Sequence, residues 1–258
     1  ERHSGRTFDV LFEPSERVSL ADVSTTRERV LVTTLDNVRG RLYSLRPAEG
    51  GGWHREEIPL PGVGTVGLGS VDDFEDRFLF SYKDFLTPSS LWMVAGAGAP
   101  TPLKTSPEWF DADGMAVAQY EATSADGTRI PYFVVAPKGF AADGTAPTIL
   151  YGYGGFEVLE LPAYSATVGN AWLARGGVYA LANIRGGGEF GPKWHQAALK
   201  GNRQRSFDDF IAVAEDLVAR RITSPAHLGI MGGSNGGLLV GAVFTQRPEL
   251  FRGVVCQV

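Results

Sequence analysis

Gly232-Gly233-Ser234-Asn235-Gly236 sets a single serine hydroxyl among glycines. Serine is a poor nucleophile by itself. It becomes a useful one where the chain turns sharply enough to hold the hydroxyl clear of the backbone. A position at the head of a helix adds to this, because the dipole and the free N–H groups favour developing negative charge. The pattern here is G-x-S-x-G, preceded by a predicted strand over 227–233 and followed by a predicted helix over 236–244, the context that distinguishes a nucleophile elbow from chance. Glycines at 232 and 236 suit backbones in close approach, where a Cβ would collide. A plain tight turn between strand and helix is the alternative reading of the same residues.

The elements that must position Ser234 change character near residue 110. Before it, short β-type runs alternate with turn residues: 29–35, 41–45, 53–58, 77–82 and 91–94. Arg29, Leu31, Leu42 and Tyr43 are echoed by Arg77, Leu79, Leu91 and Trp92, an offset of 48 to 49 residues. Four-stranded propeller blades recur at about that period, so two blades fit, with a simple β-meander as the alternative. Gly62, Gly64 and Gly67 spell a dinucleotide-binding fingerprint, but no helix follows them, and the segment reads as a loop.

After residue 110 a hairpin turning at Asp126-Gly127 comes first. Strands then alternate with helices: 147–155 ends in glycines, a helix from Ser165 stops at Gly176 and Gly177, and 178–184 runs into Arg185-Gly186-Gly187-Gly188-Glu189. Ser206 is expected to cap the next helix with Asp209 completing the box. That helix carries a stripe of Phe207, Phe210, Ile211, Ala214, Leu217 and Val218 and ends at Arg220 and Arg221. Alternation of this kind predicts a parallel sheet with right-handed crossovers.

Composition narrows the function classes. The chain has 258 residues, 43% hydrophobic and 21% charged, which excludes a disordered polymer. A net charge of −5, with basic clusters no longer than Arg203/Arg205 and Arg220/Arg221, argues against nucleic acid as a partner. The apolar runs fall well short of the roughly 18 residues of a membrane span. The N-terminal ten residues do not form a signal peptide. The single cysteine, Cys256, sits in an apolar run and is expected to be a buried thiol.

Residues 150–156, 182–191, 207–210 and 232–239 (LYGYGGF, ANIRGGGEFG, FDDF and GGSNGGLL) resemble, in the same order and at similar spacing, the prolyl oligopeptidase family of serine peptidases. The match covers essentially all of 110–258. The resemblance implies an α/β hydrolase domain, a mostly parallel sheet with flanking helices, over 111–258. It implies that 1–110 supplies the C-terminal blades of a β-propeller. It further implies that Ser234 is the nucleophile, the Asn235 backbone N–H and the Tyr153 hydroxyl are the oxyanion donors, and Phe156 is an aromatic wall of the proline pocket. Cleavage would fall on the carboxyl side of proline in short peptides, through an acyl-enzyme, with no cofactor or metal, no nucleic-acid or membrane partner, a monomeric full-length enzyme, and a cytoplasmic or periplasmic home. Arg185 and Glu189 read as a loop-organising ion pair rather than as catalytic charges.

The base is the gap. A hydrolase triad runs Ser, then acid, then His along the chain. After Ser234 there is no His and no Asp, and the one acid is Glu249. His227 opens the strand that ends at Ser234, about 20 Å away at about 3.3 Å per residue. His195 lies in a segment the family uses structurally, and His3 and His54 fall in the propeller part. The expectation is a truncated chain, inactive alone, with acid and histidine beyond Val258. Another serine acyl hydrolase, such as an oligopeptidase B-like peptidase or an esterase, and a non-catalytic interaction module are the alternatives.

Overall fold

The computed structural model describes residues 8–258, so His3 lies outside the described residues. The chain divides into two compact units. One contains the described residues up to Tyr82 together with Ser90–Thr105, the other Lys83–Ser89 together with Ser106–Val258.

The first unit is two antiparallel four-stranded sheets. Strands β1 (Val18–Thr25), β2 (Val30–Asp36), β3 (Arg39–Pro47) and β4 (Trp53–Ile58) form one. Strands β5 (Thr65–Val71), β6 (Arg77–Lys83), β7 (Ser90–Ala95) and β8 (Thr101–Thr105) form the other. The echo in the sequence therefore falls on the second and third strands of each sheet. At residue level the echo is out of phase, however: Leu31 and Leu42 are fully buried, whereas in β6 and β7 it is Phe78, Phe80 and Val94 that fill the core, not Leu79 and Leu91. Because side chains alternate with period 2, a one-residue slip exchanges the two faces, so what repeats is the strand plan rather than the residues. The glycine fingerprint lies in a turn and in β5, with Gly67 inside the strand.

The second unit is built on a six-stranded sheet in the order β14-β13-β11-β12-β10-β9. The hairpin β9 (Met115–Thr123) and β10 (Arg129–Pro137) is antiparallel and turns at Asp126-Gly127, with Gly127 at φ 86°. β11 (Thr148–Tyr151), β12 (Val178–Ala182), β13 (Leu228–Gly233) and β14 (Gly253–Gln257) run parallel to one another. Helix α1 (Ala166–Ala171), capped by the Ser165 hydroxyl on Val168 N at 3.2 Å, follows β11. α2 (Pro192–Gln196) and α3 (Gln204–Ala219) lie between β12 and β13, and α4 (Asn235–Gln246) follows β13.

Register explains the core. Leu150, Ala180 and Ile230 stand side by side on neighbouring parallel strands, and Phe210, Val213 and Leu217 of α3 with Leu239, Val240 and Val243 of α4 join them in one buried cluster. One position along, Tyr151, Leu181 and Met231 face the other way. There they line a cavity of about 260 Å³ with Phe85, Glu160 and Val168. The strands thus sort their apolar residues by the period of 2 while α3 sorts its own by 3.6. Cys256 departs from expectation. It is exposed, because β14 is the edge strand and exposed along its whole length.

Candidate active site

The strand order reverses at β11: the next strand, β12, lies on one side of it, and β13 lies on the other. In open α/β sheets, such a switch point leaves a crevice at the carboxyl ends of the two strands. Tyr151, the last residue of β11, pairs with Met231 of β13. The loop after β11 and the turn after β13 therefore leave the sheet side by side, and they hold Tyr153 and Ser234 respectively.

Ser234 is exposed and adopts φ 54°, ψ −118° at the N-cap of α4. For a residue bearing a Cβ this backbone is strained, and such strain collects at functional turns. Its own N–H is anchored to Gln257 O at 2.7 Å, and its carbonyl accepts from Gly237 N at 2.9 Å. A Cβ on Gly232 would run into the Gly236 carbonyl, which is the close approach the glycines permit. Asn235 opens α4, so its N–H has no acceptor one turn back. The turn presents a hydroxyl beside a helix N-terminus, and among the described residues that donor has no acceptor.

Tyr153 follows Gly152, and its ring lies against the first turn of α4, with Cδ2 at 3.7 Å from where a Gly236 Cβ would stand. Among the described residues its hydroxyl makes no hydrogen bond. Its carbonyl accepts from Asn235 Nδ2 at 2.6 Å, and Asn235 Oδ1 in turn accepts from Arg203 Nη2 at 2.9 Å. Phe156, in the same loop, is 76% exposed at φ 53°. Ser234, Asn235 and Tyr153 therefore come together around one backbone crevice, and Phe156 stands on the rim of the loop three residues on.

The loop after β12 is held by a buried ion cluster. Arg185, 4% exposed, donates from its backbone N and Nε to Asp209 Oδ2 at 3.0 and 2.9 Å and from Nη2 to Asp209 Oδ1 at 2.6 Å. It also binds Asp126 at the hairpin turn, and the guanidinium holds that carboxyl well below its ordinary value. Arg185 is thus a loop organiser, as expected, but its partners are Asp209 and Asp126 rather than Glu189. Ser206 and Asp209 likewise do not cap α3. The helix begins at Gln204, Ser206 Oγ donates to Arg185 O at 2.6 Å, and Asp209 is already taken by the guanidinium. Glu189 is buried apart from Arg185, its Oε1 accepting from Glu160 N at 3.0 Å, and burial pushes its carboxyl up to about 8. Burial also raises Glu160 to about 7.

Within the second unit, neither described histidine is a partner of Ser234. His195 Nδ1 lies 2.7 Å from Gly186 O and 3.1 Å from Glu157 N. The Glu157 N–H already bonds Gly186 O at 3.2 Å, so a protonated Nδ1 donating to that carbonyl satisfies the group. His227 precedes the far end of β13, and His54 lies in β4 of the other unit. The sequence reading passed over Arg203 and the Asn235 side chain. Arg203 did carry a signal: a cation at the positive end of a helix is unfavourable unless something else demands it.

Comparison with known proteins adds the family. The model of the prolyl oligopeptidase family matches residues 164–258. An uncharacterized peptidase of Sinorhizobium fredii is 51% identical over 96% of the chain and 34% of its own length. A prolyl endopeptidase of Elizabethkingia miricola is 42% identical over 75% of the chain and 28% of its own length. The solved structure of a post-proline cleaving enzyme from Rickettsia typhi superposes with a TM-score of 0.87 at 40% identity, covering 97% of the chain and 36% of that protein. The chain spans about a third of the length of the curated relatives it matches. Sequence and fold comparisons agree, and the chain belongs to the prolyl oligopeptidase family.

Proposed function

We propose that this chain carries the nucleophile and oxyanion site of a serine peptidase that cleaves short peptides after proline. Residues 111–258 then form the first part of an α/β-hydrolase domain, and 1–110 the last blades of a β-propeller. Ser234 Oγ attacks the scissile carbonyl carbon. Its proton leaves to a general base, and the carbonyl oxygen becomes an oxyanion facing the Asn235 N–H and the Tyr153 hydroxyl. Collapse of that intermediate expels the amine, which takes up a proton, and leaves an acyl-serine for water to hydrolyse. The reading assigns the base to a histidine outside the described residues, since His195 is engaged by the Gly186 carbonyl and His227 precedes the far end of β13. Phe156 offers a ring face to the proline side chain. Neither nucleic acid nor lipid enters this chemistry, and the full-length enzyme acts as a monomer.

The observation that carries the reading is the backbone of Ser234, φ 54° and ψ −118° between β13 and α4, with the β11 loop beside it. A tight turn without chemistry has no need of a strained serine where glycine would be relaxed. The test uses the protein that carries this chain. A fluorophosphonate should label Ser234, Ser234→Ala should abolish labelling, and succinyl-Gly-Pro anilide should be hydrolysed far faster than its Gly-Ala counterpart. Hydrolysis of simple esters with no cleavage after proline would replace this reading with that of an esterase.

A further inference from the structure

Arg203 sits at the N-terminal end of α3 with no carboxylate partner among the described residues, and burial alone lowers its pKa. Its guanidinium instead spans Gly154 O at 2.6 Å from Nη1 and Asn235 Oδ1 at 2.9 Å from Nη2, with Ser206 Oγ more distant at 3.5 Å from Nη1. Asn235 closes the ring, since its Nδ2 donates to Tyr153 O at 2.6 Å. Three hydrogen bonds thus join α3, the residue after the nucleophile, and the carbonyls of two successive residues in the β11 loop. Because arginine offers only donors, it fixes which end of the Asn235 amide is oxygen, and that in turn leaves Nδ2 to meet the Tyr153 carbonyl.

We propose that Arg203, acting through the Asn235 side chain, is the positioning residue of the oxyanion site. The inference rests on the function proposed above and deepens it. The two oxyanion donors sit on separate loops, and a preorganised site requires that their separation be set before charge develops. The clamp sets it: one end grips the backbone flanking Tyr153, the other grips the residue whose N–H is the second donor. It also sets a guanidinium on the side chain of the residue whose N–H is one of the two donors. Lysine cannot reproduce this arrangement, because an ammonium on a flexible stem lacks the planar fork that meets two acceptors at a fixed separation. Gly155 is packed against the same amide so closely that a Cβ there would overlap it, so the Asn235 side chain has one place to lie.

The experiment compares wild type with Arg203→Met, Arg203→Lys, Tyr153→Phe and the Arg203→Met/Tyr153→Phe double variant in the protein that carries this chain. It reads kcat and KM on a post-proline anilide and the rate of fluorophosphonate labelling at Ser234. Arg203→Met is expected to lower kcat and the labelling rate about 10- to 100-fold with KM changed less than about threefold, and Arg203→Lys to recover only part of the loss. In the Tyr153→Phe background the same change should cost much less, because a donor that is gone cannot be mispositioned. Losses that simply multiply, or Arg203→Met within twofold of wild type, overturn the proposal while leaving the serine-peptidase reading intact. If Arg203→Met does not fold, Arg203→Lys decides: full kcat in that variant refutes the fork. A wild type that neither labels nor cleaves refutes the function reading and this inference with it.

Discussion

Tyr153→Phe separates an oxyanion donor from a packed aromatic. The ring rests against the first turn of α4, and Asn235 holds the Tyr153 backbone through its carbonyl, so both survive the substitution. The hydroxyl makes no hydrogen bond among the described residues, so its removal leaves no buried group without a partner. Unfolding free energy should therefore change by less than about 0.5 kcal/mol. Turnover should respond differently, because the charge that the hydroxyl serves exists only in the transition state. Loss of one such donor costs about 10²- to 10³-fold in kcat, or about 3 to 4 kcal/mol. Tyr151→Phe is the control: that side chain points into the cavity beside Glu160, on the opposite face of the sheet from Leu150. Kinetics of both variants on a succinylated Gly-Pro anilide, with a denaturant titration of each, make the test. If Tyr153→Phe keeps more than about a third of kcat, or Tyr151→Phe is the slower enzyme, the hydroxyl is not a donor.

Three further outcomes follow from the same structure. Asp209→Asn turns an amide nitrogen toward the Arg185 donors and leaves a guanidinium only 4% exposed short of its main partner; equilibrium unfolding should show a loss of about 3 to 5 kcal/mol, and a loss under 1 would refute the cluster's role. Glu189 and Glu160 hold folded pKa values of about 8 and about 7 against an ordinary 4.5, so the folded state binds the extra protons; their contribution is complete below about pH 4.5 and drains away as pH rises to 8. Denaturation midpoints should fall over that window, and Glu189→Gln should flatten the fall; parallel curves for the two proteins contradict the assignment. Ser234→Gly should be more stable than Ser234→Ala by about 1 kcal/mol, since alanine inherits the strain at φ 54° and glycine does not; the opposite order, the usual one at relaxed positions, would mean that the turn is unstrained.

The second unit was legible because its signals are periodic and local. The strand at 228–233 and the helix from 235 announce themselves by apolar runs broken at glycine, and Ser234 falls at their junction. The first unit was legible as strands, but β1, β5 and β8 escaped: β1 exposes Leu20 through Val23 in a row and shows no alternation, β5 carries two glycines, and β8 is a short exposed strand with a proline. Side-chain partnerships were the harder part. Ser206 followed by Asp209 has the spacing of a capping box, yet 24 residues upstream Arg185 outbids the backbone for that carboxylate. A charge-assisted pair within a buried cluster outweighs a neutral cap, and nothing in the local spacing reveals which contact a fold will choose. Arg203 was hidden for the same reason: its acceptors come from residues 49 and 32 positions away.

Those distant contacts account for how the site holds its shape. Ser234, Phe156 and Glu157 all have positive φ, at 54°, 53° and 58°, and all belong to the two turns that leave β13 and β11. Each such residue costs about 1 to 2 kcal/mol relative to a relaxed backbone, so turns held only by their neighbours in sequence would relax. They are held from elsewhere instead. Gln257 of β14 takes the Ser234 N–H, Gly186 takes the Glu157 N–H, and Arg203 grips Gly154. Arg203 reaches Ser206 Oγ at 3.5 Å, and Ser206 holds the carbonyl of Arg185, the residue before Gly186, whose side chain is locked by buried, charge-assisted bonds to Asp209. The strain is offset at a distance from the crevice, and among the described residues the hydroxyls of Ser234 and Tyr153 make no structural hydrogen bond.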